Sequence, residues 1–328
     1  MKPGASRVKV CIVLALALLI TEARAQQPSK IHQIGYVSYG APAESANRVR
    51  ALRMGLRDHG YIEGKNINLV FRWAETAEQL PELAADLVRL NVDVLFAPSS
   101  TEVEAVRSAT TVIPIVFATH ADPVGVGHVA SLARPGGNIT GLSVLMTELV
   151  TKQLEIMKQA LPRMKRIGVL AVSTAPSTRP AMHALEAAAQ RLGVQVLSVP
   201  VRAPEDFERA FGMMARERVD GFLAVASPLL RSHRAVLAQL SLKHRLAGMF
   251  GPKEHVEAGG LMCYFSDLED VTRRAATYID KILKGARPAD LPVEQASKYE
   301  LIINLKTAKK LGIAIGPEVL QRADRILE

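Results

Sequence analysis

Short apolar runs alternate with amphipathic segments along most of the chain. Short strand-like segments at residues 34–38, 66–71, 92–96 and 113–118 are separated by stretches in which leucine and valine recur every three or four residues. That spacing predicts helices, and short continuous apolar runs predict strands that are buried on both faces. Regular alternation of strands and helices with short connections predicts an α/β fold with doubly wound parallel sheets.

The same succession of segments occurs twice in the chain. The matching pairs are IGYVSYG at 34–40 with IGVLAVS at 167–173, the helix ends at 59–61 and 192–194, NVDVLF at 91–96 with RVDGFL at 218–223, and the glycine pairs at 136–137 and 259–260. Any two strand–helix–strand units share one or two such matches, but not four in the same order. The repeat therefore predicts two similar lobes of one topology.

The amino terminus has the features of an export signal. A basic stretch at residues 2–9 precedes the apolar run 10–20, and Ala23-Arg24-Ala25 provides small residues at a cleavage site. This order predicts a cleavable signal peptide over residues 1–25, because the apolar run is too short to span a bilayer. A buried amphipathic helix is the alternative. Cys11 lies inside the apolar run, so we expect a periplasmic protein without a lipid anchor.

Charge and cysteine content add little chemistry. The formal charge of +9 comes from lysines and arginines that are spread along the chain without basic blocks. This distribution indicates a solvated surface and not a nucleic acid interface. After cleavage only Cys263 remains, so no internal disulfide can form and stability must come from core burial, which a chain of this length can supply.

We expect ligand contacts in the loops after the strands, because ligands of open α/β sheets bind beyond the carboxyl ends of the strands. In the first half these positions are Ser38, Tyr39, Ser99, Ser100, Thr101, His120 and Asp122, and in the second half they are Ser173, Thr174, Ser227, Phe250 and Tyr264.

The hydroxyl cluster at residues 99–101 allows two interpretations. Ser99 with Glu102, or Thr101 with Glu104, has the spacing of a helix capping box. Three successive hydroxyls exceed what a cap requires, and together with helix N–H groups they form a seat for a ligand carboxylate.

Patterns typical of enzymes are missing from the sequence. No dinucleotide-binding glycine motif, phosphate-binding loop or nucleophile elbow occurs. His120, Asp122 and His128 have irregular spacing for a metal site, so we expect neither metal nor cofactor. Asp122 either accepts a hydrogen bond from a ligand amine or caps the turn that follows it.

Four long segments resemble one known family: LRDHGYIEGKNINLVFRWAE at 56–75, ADPVGVGHVASLARPGGNITGLS at 121–143, EHVEAGGLMCYFSDL at 254–268 and the run at 275–313. The chain is similar to ABC transporter substrate-binding proteins of the tryptophan/tyrosine type, which have the type I periplasmic-binding-protein fold. The resemblance implies a receptor that holds a small ligand, often an amino acid or similar organic solute, between two lobes and delivers it to an ABC permease. Relatives commonly carry Asn-Pro where Ser173-Thr174 stands here.

The resemblance also implies how the lobes are divided. It places interlobe crossings at 141–143 and 261–266, so we expect residues 26–143 with about 261–290 in the amino-terminal lobe and 144–260 in the carboxyl-terminal lobe. The segment 291–328 stays unassigned. We expect a monomer that meets the membrane only through the permease. Two other functions remain open, a ligand sensor that reports to a membrane receptor and an exported α/β enzyme such as a transferase or hydrolase.

Overall fold

The computed structural model describes residues 30–328, and the signal peptide predicted for residues 1–25 lies outside them. The strands are β1 (His32–Tyr39), β2 (Ile67–Ala74), β3 (Val94–Phe96), β4 (Ile115–His120), β5 (Ile139–Ser143), β6 (Arg166–Val172), β7 (Gln195–Val201), β8 (Gly221–Ala224), β9 (Ala247–Phe250), β10 (Met262–Ser266), β11 (Glu294–Gln295), β12 (Tyr299–Asn304) and β13 (Arg325–Leu327).

Helices connect most of these strands. They are α1 (Ala46–Asp58), α2 (Leu80–Arg89), α3 (Ser100–Ala109), α4 (Met146–Ala160), α5 (Thr178–Arg191), α6 (Asp206–Arg216), α7 (Pro228–Ser232), α8 (Arg234–Lys243), α9 (Glu254–Glu257), α10 (Leu268–Leu283), α11 (Leu305–Leu311) and α12 (Pro317–Gln321). Short 3₁₀ helices lie at Pro42–Ser45, Ala77–Gln79 and Pro288–Asp290. In the part of the chain from residue 30 onward, every helix is too short or too polar to cross a membrane.

The strands form two sheets with the same core order. The first sheet runs β2-β1-β3-β4-β5-β11 and the second runs β7-β6-β8-β9-β10-β12-β13. The first sheet is parallel throughout, and in the second only the β10–β12 pairing is antiparallel. The predicted α/β fold with two similar doubly wound lobes is confirmed.

Helices on both faces explain why the strands are continuously apolar. Val94 and Phe96 belong to the same buried cluster as Leu52 of α1, whereas Leu95 between them belongs to a cluster with Leu87 of α2. Successive side chains of a strand point to opposite faces, so a strand covered on both sides has no polar positions.

The helix α10 returns from the second lobe to pack on α1 of the first lobe. The two backbones approach closely at Gly55, where an added Cβ would lie 2.3 Å from the carbonyl oxygen of Arg273. Only glycine allows this distance, and the contact fixes α10 to the first lobe.

The strand pairing corrects the lobe boundary expected from the sequence. We expected residues 261–290 to lie in the first lobe, but β10 pairs with β9 and β12 in the second sheet. The chain crosses between the lobes at 144–145, at Asp267 and at 296–298, so the segment 291–328 is divided between them. An apolar run of five residues predicts a strand but does not encode which sheet it joins.

Candidate ligand-binding site

Two connected spaces lie between the lobes, at the carboxyl ends of the strands. The inner cavity has a volume of about 60 Å³, and an outer groove of about 570 Å³ lies beside it. Thr101 of the first lobe and Ala175, Ser227 and Pro228 of the second line both spaces. A solute held here is therefore in contact with both lobes.

The lobes touch each other beside this cleft. The Nη1 atom of Arg231 in the second lobe donates to the carbonyl oxygen of Glu44 in the first, at 3.3 Å. Arg234 forms an ion pair with the Glu44 carboxylate at 3.9 Å. Tyr39 at the end of β1 is buried in a cluster with Leu229 of the second lobe. The structure thus shows the two lobes closed on one another.

The amino terminus of α3 contributes the first-lobe surface of the inner cavity. Glu102 accepts hydrogen bonds from the N–H groups of Ser99 at 3.2 Å and Tyr39 at 3.1 Å. The Ser99 hydroxyl also donates to this carboxylate. The capping box thus uses Ser99 and Glu102, the first of the two spacings seen in the sequence.

The Ser100 hydroxyl takes part in a buried series of hydrogen bonds. Its hydroxyl oxygen accepts from the Ala121 N–H at 2.9 Å and lies 3.2 Å from Nδ1 of His120. Nε2 of His120 lies 2.6 Å from Nδ1 of His128, and Nε2 of His128 lies 2.6 Å from the Glu104 carboxylate. All these contacts are satisfied if the Ser100 hydroxyl donates to His120, His120 donates to His128, and His128 donates to the Glu104 carboxylate.

Burial favours the neutral form of the His120 and His128 imidazoles. Burial lowers the pKa of His120 well below its ordinary value, and the neighbouring His128 adds to the effect. Burial also lowers the pKa of His128, although the Glu104 carboxylate opposes that shift. His120 is fully buried and does not line either space, which corrects its predicted role as a ligand contact.

Thr101 differs from its two neighbours. It lines both the inner cavity and the outer groove, whereas Ser99 and Ser100 line the inner cavity alone, and no hydrogen bond of the Thr101 hydroxyl is found within residues 30–328. Ligand contact by Thr101 therefore stays a prediction that its position favours.

On the second lobe, Ser227 caps α7 and lines both spaces. Its hydroxyl accepts from the Leu230 N–H at 3.3 Å. Thr174 lines the outer groove, where Tyr39 also lies. These three residues are placed where a ligand can reach them, and their contact with one stays a prediction.

Two further residues predicted as ligand contacts are buried within their own lobes. Ser38 is fully buried, and its hydroxyl donates to the Tyr39 carbonyl at 3.3 Å. Phe250 is fully buried against Phe222 and His255, with ring centroids 5.3 and 5.2 Å away. Both side chains are packed inside their own lobes, which their positions at strand ends did not indicate.

Three other predicted contacts also lie outside the lining. Asp122 accepts from the Gly125 N–H at 2.8 Å, so the turn-capping alternative applies. The hydroxyl of Ser173 donates to the carbonyl of the adjacent strand β7, at 3.4 Å. Tyr264 stacks on Tyr299 with ring centroids 5.7 Å apart, and its neighbour Phe265 lines the inner cavity instead. Adjacent strand residues face opposite sides, so one of the pair had to point away.

The sequence analysis missed two arginines of the inner cavity, Arg48 on α1 and Arg231 on α7. Both line it, and their exposed fractions are only 6% and 5%. Burial lowers the pKa of Arg231 to about 10, and the positive charge of Arg48 adds to this shift. Each lies in the first α-helix after a strand, beyond the loops in which the sequence pattern predicts ligand contacts.

The family profile described as ABC transporter substrate binding protein matches residues 41–327. The chain belongs to this family. Its cleft between two lobes, with polar residues at the strand ends, is consistent with the binding function that the family name states.

Individual relatives extend over most of this substrate-binding protein. A tyrosine-binding protein from Clostridioides difficile is 26% identical over 259 residues, which cover 79% of this chain and 74% of the relative. A crystal structure of a conserved domain protein from Vibrio cholerae is 28% identical, with a TM-score of 0.85 and coverage of 90% of this chain and 100% of that one.

A third relative was solved with its ligand. The crystal structure of an ABC domain in complex with L-Trp from Streptococcus pneumoniae is 25% identical, with a TM-score of 0.83 and coverage of 91% of this chain and 100% of that one. Together these matches confirm the family and the fold that the sequence resemblance implied.

Proposed function

We propose that this substrate-binding protein captures one small organic solute, of the size of an amino acid, between its lobes and delivers it to the permease of an ABC importer. The cleft carries this proposal, because Thr101 from one lobe and Ser227 from the other line both its inner cavity and its outer groove. The names of the relatives, a tyrosine-binding protein and a domain complexed with L-Trp, support the choice of solute size.

A ligand between the lobes provides the signal that a transport receptor needs. A solute drives closure only if it binds the closed form more tightly than the open one. Moving the population from 1:99 to 99:1 takes about 5.5 kcal/mol of differential affinity. Contacts from both lobes supply that difference, because a solute touching a single lobe binds both forms equally well.

The chemistry of the lining favours binding over catalysis. Of the described residues, no Asp, Glu, His or Cys lines the inner cavity. General acid–base catalysis most often uses such side chains, so we expect the solute to leave the protein unchanged.

Export completes the proposal. The pattern of residues 1–25 supports cleavage by a signal peptidase and release into the periplasm without a lipid anchor. We expect a monomer in solution, because a receptor that presents both lobes to one permease requires no second copy.

A thermal-shift screen tests the binding function. The protein is unfolded in guanidinium to strip bound solute, refolded, and screened against amino acids and small organic acids. A ligand at 100 times its Kd stabilises the native state by about 2.7 kcal/mol, which raises the Tm by several degrees. Mass spectrometry of solute that co-purifies with the native protein identifies the ligand independently.

Two outcomes would contradict the proposal. If no solute raises the Tm and none co-purifies, the protein is not a receptor for small molecules. If a solute is recovered in chemically altered form, the exported enzyme becomes the better interpretation.

A further inference from the structure

Two buried arginines from opposite lobes line the inner cavity. Arg48 comes from the first lobe and Arg231 from the second, and each is more than nine-tenths buried. Guanidinium groups remain charged at neutral pH, so burying two of them in one space requires compensation by anions or hydrogen-bond acceptors.

The hydrogen-bond partners of both arginines are neutral. Nη2 of Arg48 donates to the Ser45 hydroxyl at 2.7 Å, and Nη1 of Arg231 donates to the Glu44 carbonyl at 3.3 Å. Nε of Arg48 and Nη2 of Arg231 are buried without a partner among residues 30–328. In this part of the chain no carboxylate lies within the 4.0 Å of an ion pair with either arginine.

Nearby carboxylates compensate only from a distance. Glu102 and Glu254 act electrostatically on Arg231, but neither lines the inner cavity. Glu102 is occupied by the N–H groups of Ser99 and Tyr39. Among the described residues, the unpaired donors of Arg48 and Arg231 therefore have no carboxylate at ion-pair distance, and the buried Oε2 atoms of Glu44 and Glu254 have no hydrogen-bond partner either.

The rest of the lining suits an uncharged, partly apolar body. Hydroxyls come from residues such as Thr119 and Ser177, and apolar surface comes from Met146, Phe265 and Leu268. Within the described chain the inner cavity has no carboxylate to receive an ammonium group, and two guanidinium groups would repel one.

We propose that the ligand is an organic acid with an apolar body and no ammonium group beside its carboxylate. This inference rests on the proposed function and narrows its solute class. The carboxylate binds between Arg48 and Arg231, whose planar guanidinium groups match a carboxylate in paired hydrogen bonds. The same anion removes the repulsion between two like charges from opposite lobes, and so favours closure.

Matched ligand pairs separate the acid from the amino acid. Isothermal titration calorimetry compares 3-phenylpropionate with L-phenylalanine and 4-methylpentanoate with L-leucine, pairs that differ only in the α-ammonium group. The broader screen also compares straight-chain monocarboxylates with the corresponding amino acids. We expect the acids to bind at least about tenfold more tightly than their amino acid partners, because an amino acid would bury an ammonium group that has no acceptor in the inner cavity and that both guanidinium groups repel.

Arginine variants locate the carboxylate. In Arg48→Gln and Arg231→Gln the affinity for the best acid should fall about tenfold or more. Arg53→Gln is the matched control on the same helix, because Arg53 is partly exposed and pairs with Glu63 at 2.7 Å. Circular dichroism checks folding, and the ligand pairs on the unaltered protein decide the question if a variant does not fold.

The possible results are distinct for the two proposals. Tight binding of amino acids, with their des-amino partners binding no better, overturns the organic acid and leaves the receptor function intact. Unchanged acid affinity in both folded arginine variants also overturns the inference. If neither series of solutes binds, the inference and the proposed function fail together.

Discussion

The adjacent hydroxyls of Ser100 and Thr101 should have opposite roles, one in stability and one in binding. Ser100 is buried, with an exposed fraction of 4%, and its hydroxyl contacts the Ala121 N–H and His120. Thr101 lines both spaces of the cleft, and its hydroxyl has no partner within residues 30–328. We therefore compare Ser100→Ala with the nearly isosteric Thr101→Val.

The expected magnitudes follow from these contacts. Ser100→Ala removes the acceptor of the Ala121 N–H and leaves a buried donor unsatisfied, which costs about 1–3 kcal/mol. At about 2 kcal/mol the Tm falls by roughly 4–8 °C for a protein of this size. Thr101→Val leaves no buried partner behind, so its unfolding free energy should change by less than about 0.5 kcal/mol. Its ligand affinity should fall about tenfold if the hydroxyl donates to a carboxylate.

Urea unfolding measures the stability of both variants, and calorimetry with the ligand from the thermal screen measures affinity. The reasoning is refuted if Ser100→Ala is as stable as the unaltered protein, or if Thr101→Val loses stability and keeps full affinity. The second result would give Thr101 a structural role and leave the cleft without that contact.

Three other predictions follow from the buried groups and from the contact between lobes. Burial lowers the pKa values of His120 and His128, so the unfolded chain takes up protons at a higher pH than the folded protein does. The unfolding free energy should therefore decrease below about pH 6.5, by up to about 1.4 kcal/mol per pH unit for each histidine. Constant stability in urea titrations between pH 7 and 5 would contradict this. Gly40 has a φ of 93°, and an added Cβ would lie 2.5 Å from the Ser232 hydroxyl of the other lobe and 2.6 Å from the Glu44 carboxylate of its own lobe. Gly40→Ala should therefore lower ligand affinity in calorimetry, and a second substitution, Ser232→Ala, should restore only the part that comes from the contact between lobes. Cys263 is buried, and burial raises the pKa of its thiol. An aromatic disulfide reagent should therefore react with this thiol in urea but not in the native protein. Rapid reaction of the native protein would show instead that β10 is accessible.

The fold was predictable because each strand carries its own signal. Residues 94–96 are apolar at every position, and in the structure all three residues of β3 are fully buried, so pattern and burial have one cause. Sheet membership was harder to predict. β10 has the same apolar character whichever lobe it joins, and only its pairing with β9 and β12 assigns it to the second.

The candidate site was predictable only in part. Thr101 and Ser227 follow strand ends, and all the strand ends of a parallel sheet meet at one edge, so both lie at the cleft. Phe250 and Tyr264 also lie on strands, but which face a side chain takes depends on strand register and twist. The inner cavity that Arg48 lines is formed by residues of both lobes, and no local pattern encodes that arrangement.

Closure of the lobes around a ligand is the central claim, and a distance between them tests it most directly. We place spin labels at Glu82 on α2 and Arg209 on α6. Both residues are exposed and lie near opposite sides of the outer groove without lining it. Pulsed electron paramagnetic resonance measures the label separation with and without saturating ligand. We predict a shorter and narrower distance distribution with ligand; identical distributions in both states would contradict the mechanism.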